Sequence, residues 1–393
     1  MPNDLPMAII DGPGKQALIE YLRGQLIPED QIAQAETEGR LQELALVCAF
    51  VGRGPRYTQE ELADRLGVSV EFARKFWRAM GFPAIEPEAR VLTDDDAEAL
   101  SIVMRRISEG IDEDVALQLT RVIGSSIARI AEAEVGAIQS TFSDLPLLQD
   151  QPVDITPEVV QVITELATAR VDEQSKLIDY GHRRHLAQAA RRQVLWQEGT
   201  RAGLQDLAVG FADLVGFTAL SQQLTAHELA GTVEHFETLA YETIDALGGR
   251  IVKMIGDEVM FIDEDIADAV EIGLQLSERY ESDEALSGVR VGIARGEVIG
   301  KDGDYYGPVV NLASRIVGIA FPGTVVVADE VHEALESSEA FEWRALRPRR
   351  LKGIGRADLW TVRRPGTAER RPAGADWLQA RRQQMAEIIA DGI

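Results

Sequence analysis

The sequence predicts an α+β chain in two halves, and three observations carry the prediction. Apolar residues recur at three- and four-residue spacing from the start of the chain to about residue 195. Short apolar strands bounded by glycine begin only after Gly203. From there the elements run strand–helix–strand–strand–helix–strand, an order that suits a sheet covered by helices. At 393 residues the chain is too long for one ordinary core, so two or three domains are expected.

In the first half, QALIEYLRGQL, ELADRLG, EFARKFWRAMG, DAEALSIVMRRISEG and DEDVALQLTRVIGSSIARIAEAEVGAI each read as an amphipathic helix. Thr58 with Glu61, and Thr93 with the shorter Asp96, form N-terminal caps. FSDLPLLQDQPVDITP, residues 142–157, is a turn-rich break, and a second helical run continues from Pro157 through Ala190 into QVLWQEG. Gly199 to Gly203 marks a joint. The expected boundaries are a helical domain over 1–156 and a helical linker over 157–203.

In the second half, LAVGFADLVGF is a buried strand, and AHELAGTVEHFETLAYETIDALG is a helix with Leu229, Val233, Phe236, Leu239, Ala240 and Ile244 on one face. RIVKMI and EVMFID form a hairpin across Gly256–Asp257. A helix over Ile266–Tyr280, the strand VRVGIARGEVIG, a helix over Pro308–Gly318, the strand TVVVAD and a short helix over Glu330–Leu335 follow. FEWRALRPRRLKG and DLWTVRR predict a closing hairpin. This domain is expected over 204–366, with a helical tail over 367–393.

Composition narrows the class. The formal charge is −25, shared between the halves, so no basic domain marks a nucleic-acid footprint. The lone Cys48 excludes an internal disulfide framework and suits a reducing cytosol. No targeting signal opens the sequence, and the apolar stretch from Leu44 is too short to span a bilayer. A cytoplasmic location is expected.

The polar inventory of the second half is specific. Asp213 closes one strand and Asp257 stands 44 residues later in the hairpin turn, so both can reach one sheet edge. Two carboxylates there suit a divalent metal beside phosphate oxygens. Gly216, Phe217 and Thr218 lie at a strand-to-helix turn whose N–H groups suit phosphate. Lys253 precedes Asp257 by four residues, and Asp304 sits in the loop KDGDYYG. Asn311 and Arg315 are four apart on a helix and point the same way. Lys352 stands in LKGIG.

FADLVGFT, KMIGDE, GDYYGPVVNLASR and LKGIG, in that order, resemble the class III nucleotidyl cyclase catalytic domain over roughly Leu204 to Val362. The resemblance implies a ferredoxin-like catalytic fold that converts ATP to 3′,5′-cyclic AMP and pyrophosphate. It implies two Mg²⁺ or Mn²⁺ ions on Asp213 and Asp257, bridging the triphosphate. Asn311 would orient the ribose, Arg315 would neutralise charge on the α-phosphoryl group, and Lys352 would hold the terminal phosphates. Lys253 and Asp304 match the family's adenine readers. Lys253 only donates and ionised Asp304 only accepts, which fits adenine and opposes guanine. The family divides its site between two chains, so a homodimer is implied. IGDEVMF is also similar to diguanylate cyclases, but Ile255 fills the place of their second glycine.

The helical half resembles actinobacterial domains that restrain a following cyclase domain, which implies autoinhibition relieved through residues 157–200. His182 and His185 among Arg183, Arg184, Arg191 and Arg192 suggest a pH response. One alternative comes from another class: TQEELADRLGVSVEFARKFWRAMGFP resembles a helix-turn-helix, with Arg74, Lys75 and Arg78 on the second helix. That would make the chain a DNA-binding regulator with a degenerate cyclase domain. Residues 58–82 carry no net charge, which weighs against it.

Overall fold

The computed structural model describes residues 13–51, 56–143, 157–196, 204–222, 224–283, 286 and 288–367. The chain divides into two units, Met1–Val194 and Leu195–Ile393.

The first unit is helical among its described residues. Its helices are α1 (Pro13–Gly24), α2 (Glu29–Thr37), α3 (Leu41–Val51), α4 (Gln59–Leu66), α5 (Val70–Met80), α6 (Asp94–Ser108), α7 (Glu113–Ser143) and α8 (Pro157–Trp196), the last running two residues past the division. Two small cores hold it. Leu18, Leu22, Ile32, Ala45 and Cys48 join α1 to α3, and burial pushes the Cys48 thiol pKa up. Leu62, Phe76, Trp77 and Leu100 join α4 to α6, with Leu117 of α7. Thr58 and Thr93 both close full capping boxes, with Glu61 and Asp96 answering to the N-cap amides. The sequence did not mark α2, and it marked α3 only as an apolar stretch.

The second unit runs β1 (Leu204–Leu214), α9 (Phe217–Leu220), α10 (Ala226–Ala246), β2 (Arg250–Ile255), β3 (Glu258–Asp263), α11 (Ile266–Ser282) and β4 (Val289–Lys301). Then come β5 (Asp304–Tyr306), α12 (Pro308–Val317), β6 (Val325–Ala328), α13 (Asp329–Leu335), β7 (Glu342–Ala345), β8 (Arg349–Leu351), β9 (Gly355–Ala357) and β10 (Leu359–Arg363). The sheet order is β2-β3-β1-β4-β6-β10-β7, with β5 paired to β4. Its first four strands are antiparallel and carry the expected ferredoxin-like arrangement. β4 and β6 are parallel.

Side-chain alternation builds a core on each face of this sheet. Ala208, Ala212 and Leu214 of β1 join α10 and α11 through Phe236, Ala240, Ile244, Ile272 and Tyr280. Leu207, Val209 and Phe211 face the other way and meet Ala313, Ile316 and Val317 of α12. Gly292 permits that second contact: a Cβ there would lie 2.4 Å from the Val317 backbone nitrogen. A larger residue would push α12 off the sheet.

The predicted closing hairpin needs correction. β7 does pair with β10, but a separate two-stranded ribbon, β8–β9, is inserted between them. Gly353 and Gly355, at φ of 81° and 105°, turn the ribbon where the sequence suggested one continuous strand. The joint at 199–203, most of the break at 142–157 and the tail helix from Gly374 lie outside the described residues.

Candidate active site

Strand register gathers the carboxylates. β1 pairs with β3 so that Asp213 stands opposite Glu258, and the Leu214 amide donates to the Asp257 carbonyl at 2.9 Å. The three acidic residues therefore share one sheet end. Asp213 is also opposite Arg290 of β4, whose Nε donates to its Oδ2 at 2.5 Å. Asp213 is well buried, its side chain 14% exposed. Burial and then repulsion from Asp213 push the Asp257 carboxyl up. The same causes, with Asp257 added, push Glu258 up to about 7.

This donor set fits a hard divalent cation of the Mg²⁺ kind. The carboxylates disfavour one another's charge, and a cation would relieve them. Among the described residues, no group of three or more His, Cys, Asp or Glu side chains is arranged to hold an ion alone. The other ligands of such a cation would be water or phosphate oxygens, as Mg²⁺ prefers.

Lys253 and Asp304 meet directly, Nζ to Oδ2 at 2.5 Å. β5 pairs only with β4, and β2 only with β3, so this ion pair bridges two strands that share no ladder. Asp304 Oδ1 accepts from the Tyr305 amide at 2.8 Å, which fixes the carboxylate. Arg250 of β2 adds a second tie, lying 5.1 Å from the Tyr305 ring centroid and hydrogen bonding its hydroxyl.

Asn311 and Arg315 are exposed on the outer face of α12, opposite the buried Ala313, Ile316 and Val317. Lys352 is exposed in the turn of the β8–β9 ribbon. None of these three side chains has a hydrogen-bond or ion-pair partner among the described residues. Gly216 takes φ of 77° at the head of α9, where no side chain caps the first N–H groups. Phe217 packs against the core beneath. The side chain of Thr218 lies outside the described residues. No hydrogen bond or ion pair among the described residues joins the Asp213–Asp257 group to Lys253, Asp304, Asn311, Arg315 or Lys352.

The sequence did not single out Arg290. It occupies the strand VRVGIARG, and only the β1–β4 register, spanning 77 residues, reveals its carboxylate partner. A guanidinium beside clustered carboxylates is available to a phosphate if a cation takes its partner.

Residues 201–364 match the adenylate and guanylate cyclase catalytic domain, and residues 12–163 match the adenylate cyclase regulatory domain. An adenylate cyclase of Streptomyces coelicolor (strain ATCC BAA-471 / A3(2) / M145) is 38% identical over 315 residues, 79% of this chain and 80% of that one. A pH-sensitive adenylate cyclase of Mycobacterium tuberculosis (strain CDC 1551 / Oshkosh) is 30% identical over 89% of this chain and 88% of its own length. Among solved structures, an adenylyl cyclase from P. aeruginosa matches with 24% identity and a TM-score of 0.37, covering 44% of this chain and 98% of that one. With both matches in order along one polypeptide, the chain belongs to the class III adenylate cyclase family, in the form that joins a helical regulatory domain to the catalytic domain.

Proposed function

We propose that the chain converts ATP to 3′,5′-cyclic AMP and pyrophosphate at sites shared by two copies of itself. One observation carries this reading. The carboxylates Asp213, Asp257 and Glu258 form one cluster, while Asn311, Arg315 and Lys352 stand exposed elsewhere on the same unit, with no side-chain partner among the described residues. A twofold partner would bring the second group over the first. Exposed apolar residues flank these loops, as a pairing surface needs: Ile255 beside Asp257, Ile299 and Tyr306 around Asp304, and Ile354 beside Lys352.

In this reading Asp213 and Asp257 hold two Mg²⁺ or Mn²⁺ ions. Such ions supply Lewis acidity at the phosphates and lower the pKa of the ribose 3′-hydroxyl. With a cation on Asp213, Arg290 would be free to bind a phosphate oxygen. Asn311 fixes the ribose by hydrogen bonding. Arg315 places its positive charge where negative charge accumulates, on the α-phosphoryl oxygens during in-line displacement. Lys352 and the free N–H groups of Gly216, Phe217 and Thr218 bind the outer phosphates. Adenine separates the Lys253–Asp304 pair, taking a donor from the lysine and giving its amine to the aspartate. Guanine reverses both polarities and leaves the two half-buried groups mispaired.

The boundaries 1–156, 157–203, 204–366 and 367–393 are retained for the regulatory domain, linker, catalytic domain and tail. The helical domain restrains catalysis, and α8 carries the signal. His182 and His185 lie exposed on α8 with Arg183, Arg184 and Arg191, and Asp179 pairs with Arg183. The pH-sensitive relative is in keeping with a response to acid through this segment. A cytoplasmic location belongs to the same proposal; no helix among the described residues is long and apolar enough to cross a membrane.

The DNA-binding alternative is weaker. Arg74 donates to Gln59, and Lys75 pairs with Glu113, so two of the three candidate cations on α5 are engaged within the unit. Incubation with ATP and Mn²⁺ tests the proposal. Cyclic AMP must form with the wild type and vanish with Asp257→Ala. DNA retention that weakens steeply with salt, with no cyclic product, would instead favour the regulator.

A further inference from the structure

The β8–β9 ribbon breaks the charge rule of the molecule. The chain carries a formal charge of −25, yet Arg347, Arg349, Arg350, Lys352 and Arg356 follow one another with no acid between them. All five are exposed. Five other arginines of the same unit find carboxylates: Arg279 with Glu242, Arg290 with Asp213, Arg295 with Asp206, Arg363 with Glu342, and Arg364 with Glu271 and Glu278. Among the described residues the ribbon cations find none.

Register sharpens the anomaly. Arg350 stands directly opposite Arg356 across the ribbon. Directly opposed residues on an antiparallel pair project from the same face, and like charges there destabilise the pairing. The ribbon is nonetheless anchored: Leu351 is 4% exposed and packs with Leu359 in the core under α12. Two guanidinium groups are thus held side by side on a fixed base, with Lys352 two residues beyond Arg350. Neighbouring guanidinium forks match the several oxygens of a condensed phosphate, and an anion there would remove their repulsion.

We infer that Arg350 and Arg356 form a polyphosphate subsite, continuous with Lys352, that binds inorganic pyrophosphate and the matching end of the incoming triphosphate. The inference rests on the nucleotide reading of Lys352 given above. It makes the ribbon the place where the leaving product lingers, so pyrophosphate inhibits through these two arginines.

Calorimetric titration of the full chain with inorganic pyrophosphate, without divalent metal, tests it independently of turnover. The paired variant Arg350→Gln/Arg356→Gln should weaken pyrophosphate binding about tenfold, from the loss of charge-assisted hydrogen bonds. In the ATP reaction the same variant should raise the inhibition constant for pyrophosphate by a similar factor. Arg105→Gln/Arg106→Gln on α6 removes the same charge elsewhere and should leave pyrophosphate binding as it was. Unchanged pyrophosphate binding in the ribbon variant, with cyclic AMP still formed, overturns the subsite and leaves the nucleotide reading standing. Weakened binding in a chain that makes no cyclic product supports the subsite and overturns the nucleotide reading instead. If the ribbon variant keeps pyrophosphate but loses binding to phosphatidylglycerol vesicles, the ribbon faces a membrane and the subsite is wrong.

Discussion

Helices α5 and α12 both present cations on a polar face, and they differ in what those cations touch. On α5, Arg74 is bound to Gln59 and Lys75 to Glu113, so the sequence similarity to a DNA-reading helix is spent on internal contacts. On α12, Arg315 and its neighbour Asn311 meet nothing among the described residues, although the chain has a large excess of acids. A cation left unpaired on a rigid, tightly seated helix is available to a ligand. Motif similarity did not separate the two helices; side-chain partners did.

The contrast can be broken most sharply by mutation. Arg315→Ala should lower kcat by about 10²- to 10³-fold, the usual effect of removing one group aimed at transition-state charge. Arg74→Ala should leave kcat within about twofold, because that side chain serves packing of the helical unit alone. Equal losses in the two variants, measured by steady-state cyclic AMP formation, would erase the distinction.

Base selection sharpens the same idea within one unit. Lys253→Glu places an acceptor where adenine needs a donor and sets like charges beside Asp304. The ratio of kcat/KM for ATP over GTP should fall at least about tenfold, from roughly 1–3 kcal/mol of mispairing. An unchanged ratio would remove Lys253 from the base site.

The carboxylate cluster predicts a pH dependence in the metal-free protein. Glu258 stands at about 7 in the folded chain, above its ordinary value of 4.5. A carboxyl whose folded pKa is raised gives stability in its protonated form. That contribution is complete below the ordinary value and is lost as pH rises through the folded one. The group is only partly buried, so about 1–2 kcal/mol is expected rather than the full span of the shift. Metal-free protein should therefore lose thermal stability between pH 4.5 and about pH 7, and Glu258→Gln should flatten that loss. An identical slope in the variant would remove Glu258 as its cause. The smallest effect is expected at Lys75→Ala. Its pair with Glu113 is about half exposed on both sides, so urea unfolding should shift by no more than about 0.5 kcal/mol.

Much of this was legible in the sequence because it is local. The 3.6-residue period of α10 and α12, the glycine turn at Gly256 and the caps at Thr58 and Thr93 are written within a few residues of where they act. The order of elements along the chain was legible too, and the resemblance supplied the ferredoxin-like arrangement that the sheet shows. The β8–β9 ribbon was not legible. Its strands are three residues each, too short for alternation to show, and exposed arginines hid them further. Arg290 escaped for another reason: its meaning depends on register with Asp213 across 77 residues, and register is a property of the folded sheet. Lys253 and Asp304 were proposed as a pair by resemblance, while their direct contact came only from the fold.

The central claim is that one active site draws on two chains, and subunit complementation tests it most directly. Asp257→Ala and Arg315→Ala chains are prepared separately, then mixed and allowed to exchange partners, and cyclic AMP is measured. Each alone should be nearly inactive. In a statistical mixture, half the dimers are mixed and each holds one intact site, so about a quarter of wild-type activity should return. A mixture as inactive as its components, with partner exchange demonstrated, would contradict the shared site.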